Sequence, residues 1–191
     1  TSVTIPDTVT DIGNSAFYGC TALERVKFGN AVTTLGDEAF SRCTSLKTVA
    51  LPDSVTTLGN SVFSHCTALS NFAAYENITS MGTHVFYGCT GMYNCTLSHS
   101  MTEIPAYTFA YCTSLSSLAM QAKTLTSIGD YAFYHCESLK SAYPAVTVTQ
   151  IGNSAFGYCY NLKNLKFRSD TIHIGDMAFS DCNSLTTLEL P

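Results

Sequence analysis

The chain has 191 residues, 46% of them hydrophobic and 12% charged, with a formal net charge of −5 at pH 7; this is globular material, long enough to bury a continuous core. Nine Lys and Arg residues form no basic stripe able to neutralise a run of phosphates, so nucleic acid is not an expected partner. No run of eighteen apolar residues is present for membrane insertion, and the opening TSVTIPDTV, which starts in mid-pattern without an initiator methionine, reads as the start of a piece of a longer protein.

In chain order, the first distinctive element is AFYGC at 16–20. It returns as AFSRC (39–43), VFSHC (62–66), VFYGC (85–89), TFAYC (108–112), AFYHC (132–136), AFGYC (155–159) and AFSDC (178–182). The eight cysteines, Cys20, Cys43, Cys66, Cys89, Cys112, Cys136, Cys159 and Cys182, are 23 residues apart except for one step of 24 after Cys112. A fixed period of that length predicts an α/β solenoid of the leucine-rich-repeat kind: a right-handed coil of about eight repeats, one domain over 1–191, with a parallel sheet of short strands and short helical turns.

Each coil divides further. Three residues after each cysteine stands Leu or Met, and from there LERVKF (23–28), LKTVAL (46–51), LKNLKF (162–167) and LTTLEL (185–190) alternate apolar and exposed positions, which predicts a strand with one face buried. Segments such as PDSVTTLGNSVF (52–63) then supply a turn, a second extended piece, a glycine for a tight or left-handed bend, and a helical turn with Phe63 and Cys66 three apart. The sixth coil is predicted to be weakest, because Pro144 in LKSAYP (139–144) cannot donate to a ladder. The extra residue lies within 120–129 and reads as a loop insertion that keeps both flanking registers. Ile172, displaced by one from the position of Val9, Val32 and Val55, predicts a local bulge.

The cysteines admit several chemistries. Zinc would need close pairs such as Cys-x2-Cys, and there are none. Disulfides between stacked coils would need side chains that converge, whereas repeats make them parallel. Eight identical nucleophiles without a recurring base make poor catalysts. The favoured reading is a ladder of buried free thiols, each a small apolar filler between helical turn and strand, with Cys95 as filler in a strand. His65 and His135 share a position while His84, His99 and His173 do not, so no base recurs. Asp37, Glu38, Asp130 and Asp176 fall at the bend, where acids suit free amides.

The string IGNSAFYGCTALERVKF (12–28) resembles the BspA-like, or Treponema pallidum-type, leucine-rich repeats found in large surface proteins of bacteria and some parasitic protists. The departures are Pro105 in the glycine column, Pro144, Met92 and Cys95. The resemblance implies a surface or secreted adhesin or receptor that binds host extracellular-matrix or cell-surface proteins, without enzyme activity or cofactor. It transfers no binding residues. Those come from the outward strand positions, where Arg25, Lys27, Tyr75, Tyr143, Lys166 and Arg168 are the candidates for protein binding. Exposed strand edges at both ends predict a further repeat, a cap, a partner or end-to-end self-association. An intracellular scaffold, which suits reduced thiols, and a structural spacer are the alternatives. Asn77-Ile78-Thr79 and Asn94-Cys95-Thr96 are glycosylation sequons if the chain follows a eukaryotic secretory route.

Overall fold

The computed structural model describes residues 1–73, 77–98, 100–120, 124–142, 147–167 and 169–189. Seventeen short strands run through them, one broad series and one narrow series alternating along the chain. The broad series is β1 (Ser2–Thr4), β3 (Arg25–Lys27), β5 (Thr48–Ala50), β7 (Asn71–Ala73), β9 (Asn94–Leu97), β11 (Ser117–Met120), β13 (Ser141–Ala142), β15 (Asn164–Lys166) and β17 (Thr187–Glu189). The narrow series is β2 (Asp11–Ile12), β4 (Thr34–Leu35), β6 (Thr57–Leu58), β8 (Ser80–Met81), β10 (Glu103–Ile104), β12 (Ser127–Ile128), β14 (Gln150–Ile151) and β16 (His173–Ile174). All pairing is parallel and in step with the repeat: Val3 lies beside Val26, and Val26 beside Val49. Alternation does what period two requires, with Val26 and Val49 buried between exposed neighbours.

Both series are interrupted, the narrow one at a proline. The narrow series divides between β8 and β10, where Pro105 occupies the glycine column. Gly82 and Gly129 donate their N–H to Leu58 and Ile104, each at 2.8 Å; Pro105 has no N–H to donate to Met81. The broad series divides between β11 and β13. Pro144 itself lies outside the described residues, but β13, just before it, is only two residues long. The inserted residue also falls beside undescribed positions (121–123), and the flanking registers are intact on both sides: Leu118 pairs with Cys95, and Ile128 with Ile104. Ile172 is half-buried against the core, with the register regained at Ile151 and Ile174.

The predicted helical turns are not present. The Phe-x-x-Cys segment is a run of overlapping tight turns, closed in the first coil by Ala16 to Gly13 (3.3 Å), Tyr18 to Ser15 (3.0 Å) and Cys20 to Phe17 (3.2 Å). Two residues per coil hold positive φ, as at Glu38 (55°) and Arg42 (60°), or Tyr107 (58°) and Tyr111 (61°). That breaks a helical path and frees every second amide to reach the following coil: Ser15 donates to Asp37 (2.7 Å), Phe17 to Ala39 (2.8 Å) and Gly19 to Ser41 (2.8 Å). Two left-handed non-glycine residues cost about 1–2 kcal/mol each, and three hydrogen bonds return about 0.5–1.5 kcal/mol each, so the third ladder offsets the strain that creates it.

The glycines do not serve a left-handed bend either. Among the glycines only Gly19 and Gly88 have positive φ. In the bend column the requirement is close approach: a Cβ on Gly59 would stand 2.5 Å from Asp37 Oδ1 and 2.7 Å from Asp37 N. The side chain beneath Gly36, Gly59, Gly82, Gly152 and Gly175 is itself a ladder rung. Asn14 Oδ1 accepts from the Asp37 amide (2.8 Å), Asp37 Oδ1 from the Asn60 amide (2.7 Å), and Asp130 Oδ1 from the Asn153 amide (2.7 Å). Of the four acids, Asp37 and Asp130 do bind amides, but those of the next coil, while Glu38 accepts from the Ser15 hydroxyl.

Inside, the phenylalanines form a near-parallel stack from Phe17 through Phe40, Phe63, Phe86, Phe109, Phe133 and Phe156 to Phe179, with centroids 5.0–5.8 Å apart. Beside them runs the cysteine ladder. All nine cysteines are free, and the thiols are more than filler. Cys43 Sγ donates to the Phe17 carbonyl at 3.1 Å, Cys66 to Phe40 at 3.1 Å, and Cys112 to Phe86 at 3.1 Å, with the same bond at every later coil. Each such carbonyl also accepts the turn amide of its own coil, so both lone pairs are used.

Candidate functional site: a tyrosine and histidine face

Because the Phe-x-x-Cys segments are turns, the tyrosines and histidines two before Phe and immediately before Cys reach the surface in adjacent columns, while from the second coil on the residue just before Phe stays in the core. Two positions before Phe, His84, Tyr107 and Tyr131 stack face to face, with centroids 4.5 and 4.8 Å apart and ring planes within 10°. Immediately before Cys, Tyr111, His135 and Tyr158 stack at 5.0 and 4.5 Å. Between the two columns, Tyr134 stands edge-on to Tyr111, Tyr131, His135 and Tyr158, all at 4.7–5.7 Å. Tyr87 fills the same place two coils earlier, and Tyr160 closes the far edge against Tyr158. Seven of the chain's eleven tyrosines are in this one face, which the equivalent Ser15, Glu38, Ser61 and Ser154 do not extend. Most of the rings are half-buried, and Tyr111 is exposed.

Electrostatics separates this face from the strands. Burial, then neighbouring phenols, raises the Tyr107 and Tyr134 hydroxyls above the usual tyrosine range, with Asp130 adding to the rise at Tyr107. Tyr160 is raised by desolvation, then by Glu137 and Asp181. Burial lowers His84 and, helped by Arg42, His65, which favours the uncharged imidazole at both. Beside them are Asp130, Glu137 and Asp181; the other bends and turns carry Asp37, Glu38 and Asp176, with Arg42 as the basic residue among the described residues of these segments. The broad strands carry the opposite sign, with Arg25, Lys27, Lys47, Lys140, Lys163 and Lys166 on or just before them against Glu24 and Glu189. Lys47 bonds Glu24 at 3.1 Å, and holds its carboxyl below the usual range.

Of the residues singled out by sequence, the three that are described fall in two separate groups. Arg25 and Lys27 are exposed on β3, and Lys166 is exposed on β15 where it pairs with Glu189. Six strand spacings, roughly 29 Å at about 4.8 Å each, separate the two groups. Tyr75, Tyr143 and Arg168 lie outside the described residues. The aromatic face was missed because a helical Phe-x-x-Cys segment would scatter its side chains around a cylinder; the signal was the run of Tyr and His in the positions flanking Phe and Cys.

The cysteines offer no nucleophile along the core. Burial pushes Cys43 and Cys182 up to about 11 and Cys66, Cys89, Cys112, Cys136 and Cys159 higher still. The thiolate is the reactive form, so at pH 8 these groups stay protonated. Brief native treatment with iodoacetamide is expected to label exposed Cys20, with slow reaction at half-buried Cys182 and none at the seven buried thiols until the chain is unfolded. Peptide mass spectrometry reads this directly, and labelling of Cys89 at the rate of Cys20 would contradict the ladder. Among the described residues no group of three or more His, Cys, Asp or Glu could hold a metal ion, and no helix is long and apolar enough to cross a membrane.

Parallel strands stacked at a 23-residue period around an aromatic and thiol core define a leucine-rich-repeat solenoid. The chain belongs to the BspA-type leucine-rich-repeat family, whose model, a BspA type leucine rich repeat region of six copies, matches residues 1–116 and 102–191. It is similar to a leucine-rich repeat protein from Bacteroides ovatus, at 33% identity and a TM-score of 0.88 over 97% of this chain and 47% of that one, so it spans about half of that relative's length. The leucine-rich repeat protein of T. pallidum shares the fold at 19% identity and a TM-score of 0.61, over 84% of this chain and 77% of that one. One from Eubacterium ventriosum does so at 20% and 0.51, over 98% and 66%. No curated protein matches the chain.

Proposed function

We propose that the chain is a non-catalytic protein-binding module of a cell-surface adhesin or receptor, engaging proteins of a host or a neighbouring cell. The observation that carries this reading is the stacked tyrosine and histidine face. Tyrosine dominates protein interfaces because it offers a large amphipathic contact with few rotors, and rings already stacked at 4.5–5.0 Å have surrendered that freedom before a partner arrives. Surface placement rests on the likeness of the repeat to those of bacterial surface proteins. A cytoplasmic scaffold is the second reading, favoured by nine unpaired cysteines.

Two measurements test the reading. Protease added to intact source cells removes the repeats if they are displayed and spares them if they are cytoplasmic. Affinity capture from extracellular host or neighbouring-cell proteins is expected to drop at least tenfold for Tyr134→Ala with Tyr158→Ala, equivalent to about 1.4 kcal/mol or more. Arg25→Ala with Lys27→Ala on the strand face is expected to leave it unchanged. The reverse ranking would move the docking surface to the strands.

A further inference from the structure

We infer that the partner of the tyrosine and histidine face is a basic protein segment, one that presents arginine and lysine side chains in succession. The inference rests on the reading that this face is the docking surface, and goes on to the chemistry of its occupant. Three features determine that chemistry.

The first is what the rings leave available. In the columns His84–Tyr107–Tyr131 and Tyr111–His135–Tyr158 the ring planes lie within 10° of one another at 4.5–5.0 Å, so interior ring faces are covered by their neighbours. A sugar or a nucleobase that needs an open aromatic face finds none inside a column. Each stacked ring has its edge left to present, and each tyrosine carries a phenol oxygen able to accept hydrogen bonds from cationic donors.

The second is the sign of the surroundings. Asp130 acts on Tyr107, and Glu137 and Asp181 both act on Tyr160; Glu137 also lies 3.3 Å from His135 Nδ1. The nearby cation on these turns, Arg42, lies against His65, toward the other end of the face. Carboxylates set beside half-buried phenols repel an acidic ligand and attract a guanidinium or ammonium group, which bonds both carboxylate and phenol oxygens.

The third is spacing. The phenols belong to four successive coils, about 4.8 Å apart, and the acids to the sixth and eighth coils. A flexible segment crossing the coils can place one cation per rung or per second rung. The basic strand face of this same molecule bears no such rims, which separates the two sides chemically.

The test uses the whole chain and a fluorescein-labelled twelve-residue peptide of alternating arginine and serine, with the glutamate and serine counterpart as control, read by fluorescence anisotropy in 0.15 M salt. The rim variant is Glu137→Gln with Asp181→Asn. Its control is Asp11→Asn with Glu103→Gln, which removes the same two charges from exposed positions on β2 and β10. All four changes are at the surface, and thermal melts establish that each variant is folded. The expected result is binding of the arginine peptide alone, weakened at least fivefold by the rim variant and less than twofold by its control. Equal weakening by both variants would mean attraction to overall negative charge, and would overturn the inference. So would binding of the glutamate peptide, or failure of the arginine peptide; if partner capture still depends on Tyr134 and Tyr158, the docking face then stands and only the partner class falls. Concentration-dependent self-association abolished by the rim variant would make the occupant a second copy's strand face, and would likewise overturn it.

Discussion

Replacing Phe86 with alanine is expected to destabilise the chain by about 3–5 kcal/mol, the usual range for a fully buried phenylalanine. Phe86 lies 5.8 Å from Phe63 and 5.4 Å from Phe109, and Phe72 approaches it at 4.7 Å. Truncation therefore empties a site shared by three coils. Stability in a solenoid is carried by interfaces between neighbours, so one lost ring weakens two interfaces at once. Urea unfolding followed by circular dichroism measures the loss. Phe179→Ala, in a coil where the ring is only partly buried, is the internal comparison and should cost clearly less. A loss below about 1.5 kcal/mol at Phe86 would mean that the stack is not the principal store of stability.

Gly152→Ala is expected to cost about 3 kcal/mol, at the upper end for overpacking. The added methyl would meet Asp130 Oδ1 at 2.4 Å and Asp130 N at 2.5 Å. The oxygen could turn away, at the loss of its bond to the Asn153 amide, but the backbone nitrogen cannot. Gly13→Ala is the decisive partner experiment, since a Cβ there finds nothing within 4 Å, and alanine should be neutral or gain about 0.4–1 kcal/mol. Were the glycine column kept for backbone conformation, both substitutions would do equal harm. Unequal thermal shifts establish close approach as the reason.

These two pairs mark where sequence reasoning succeeds and where it stops. The 23-residue beat carries the coil, the strand at Arg25–Lys27 and the burial of Phe86, because alternation and periodicity follow directly from which side chains must leave water. Pro105 shows the same kind of legibility, since a missing N–H is a property of the residue itself and the narrow sheet divides there, whereas Pro144 lies outside the described residues. The turns were not. Tyr111, His135 and Arg42 adopt positive φ, and nothing in those residue types announces it; the conformation is imposed by carbonyls one coil away. Once a helix is assumed, Tyr107, Tyr134 and Tyr158 fall on unrelated sides, so the aromatic face disappears with the turns. Glycine misled for a related reason. It is chosen both for freedom of φ and for lack of bulk, and only the neighbouring coil tells which applies.

The ladder through the turns also gives the solenoid a polarity. At every rung of that ladder the earlier coil donates and the later coil accepts, from Phe17 to Ala39 through Phe156 to Ala178. In the bends the sense is reversed, with Gly36 donating back to Ile12 and Gly175 back to Ile151. Opposed rows of amides reduce any net dipole along the axis. They also make the two ends of the row chemically unlike: Met177, Phe179 and Asp181 hold donor positions, whereas the first coil offers acceptors. Anything that prolongs this row, whether another repeat or another molecule, has to join tail to head. A head-to-head arrangement would set acceptor against acceptor, and a tail-to-tail one donor against donor. Growth along the axis is therefore vectorial, and a contact of this kind between copies would build an open filament in preference to a closed pair.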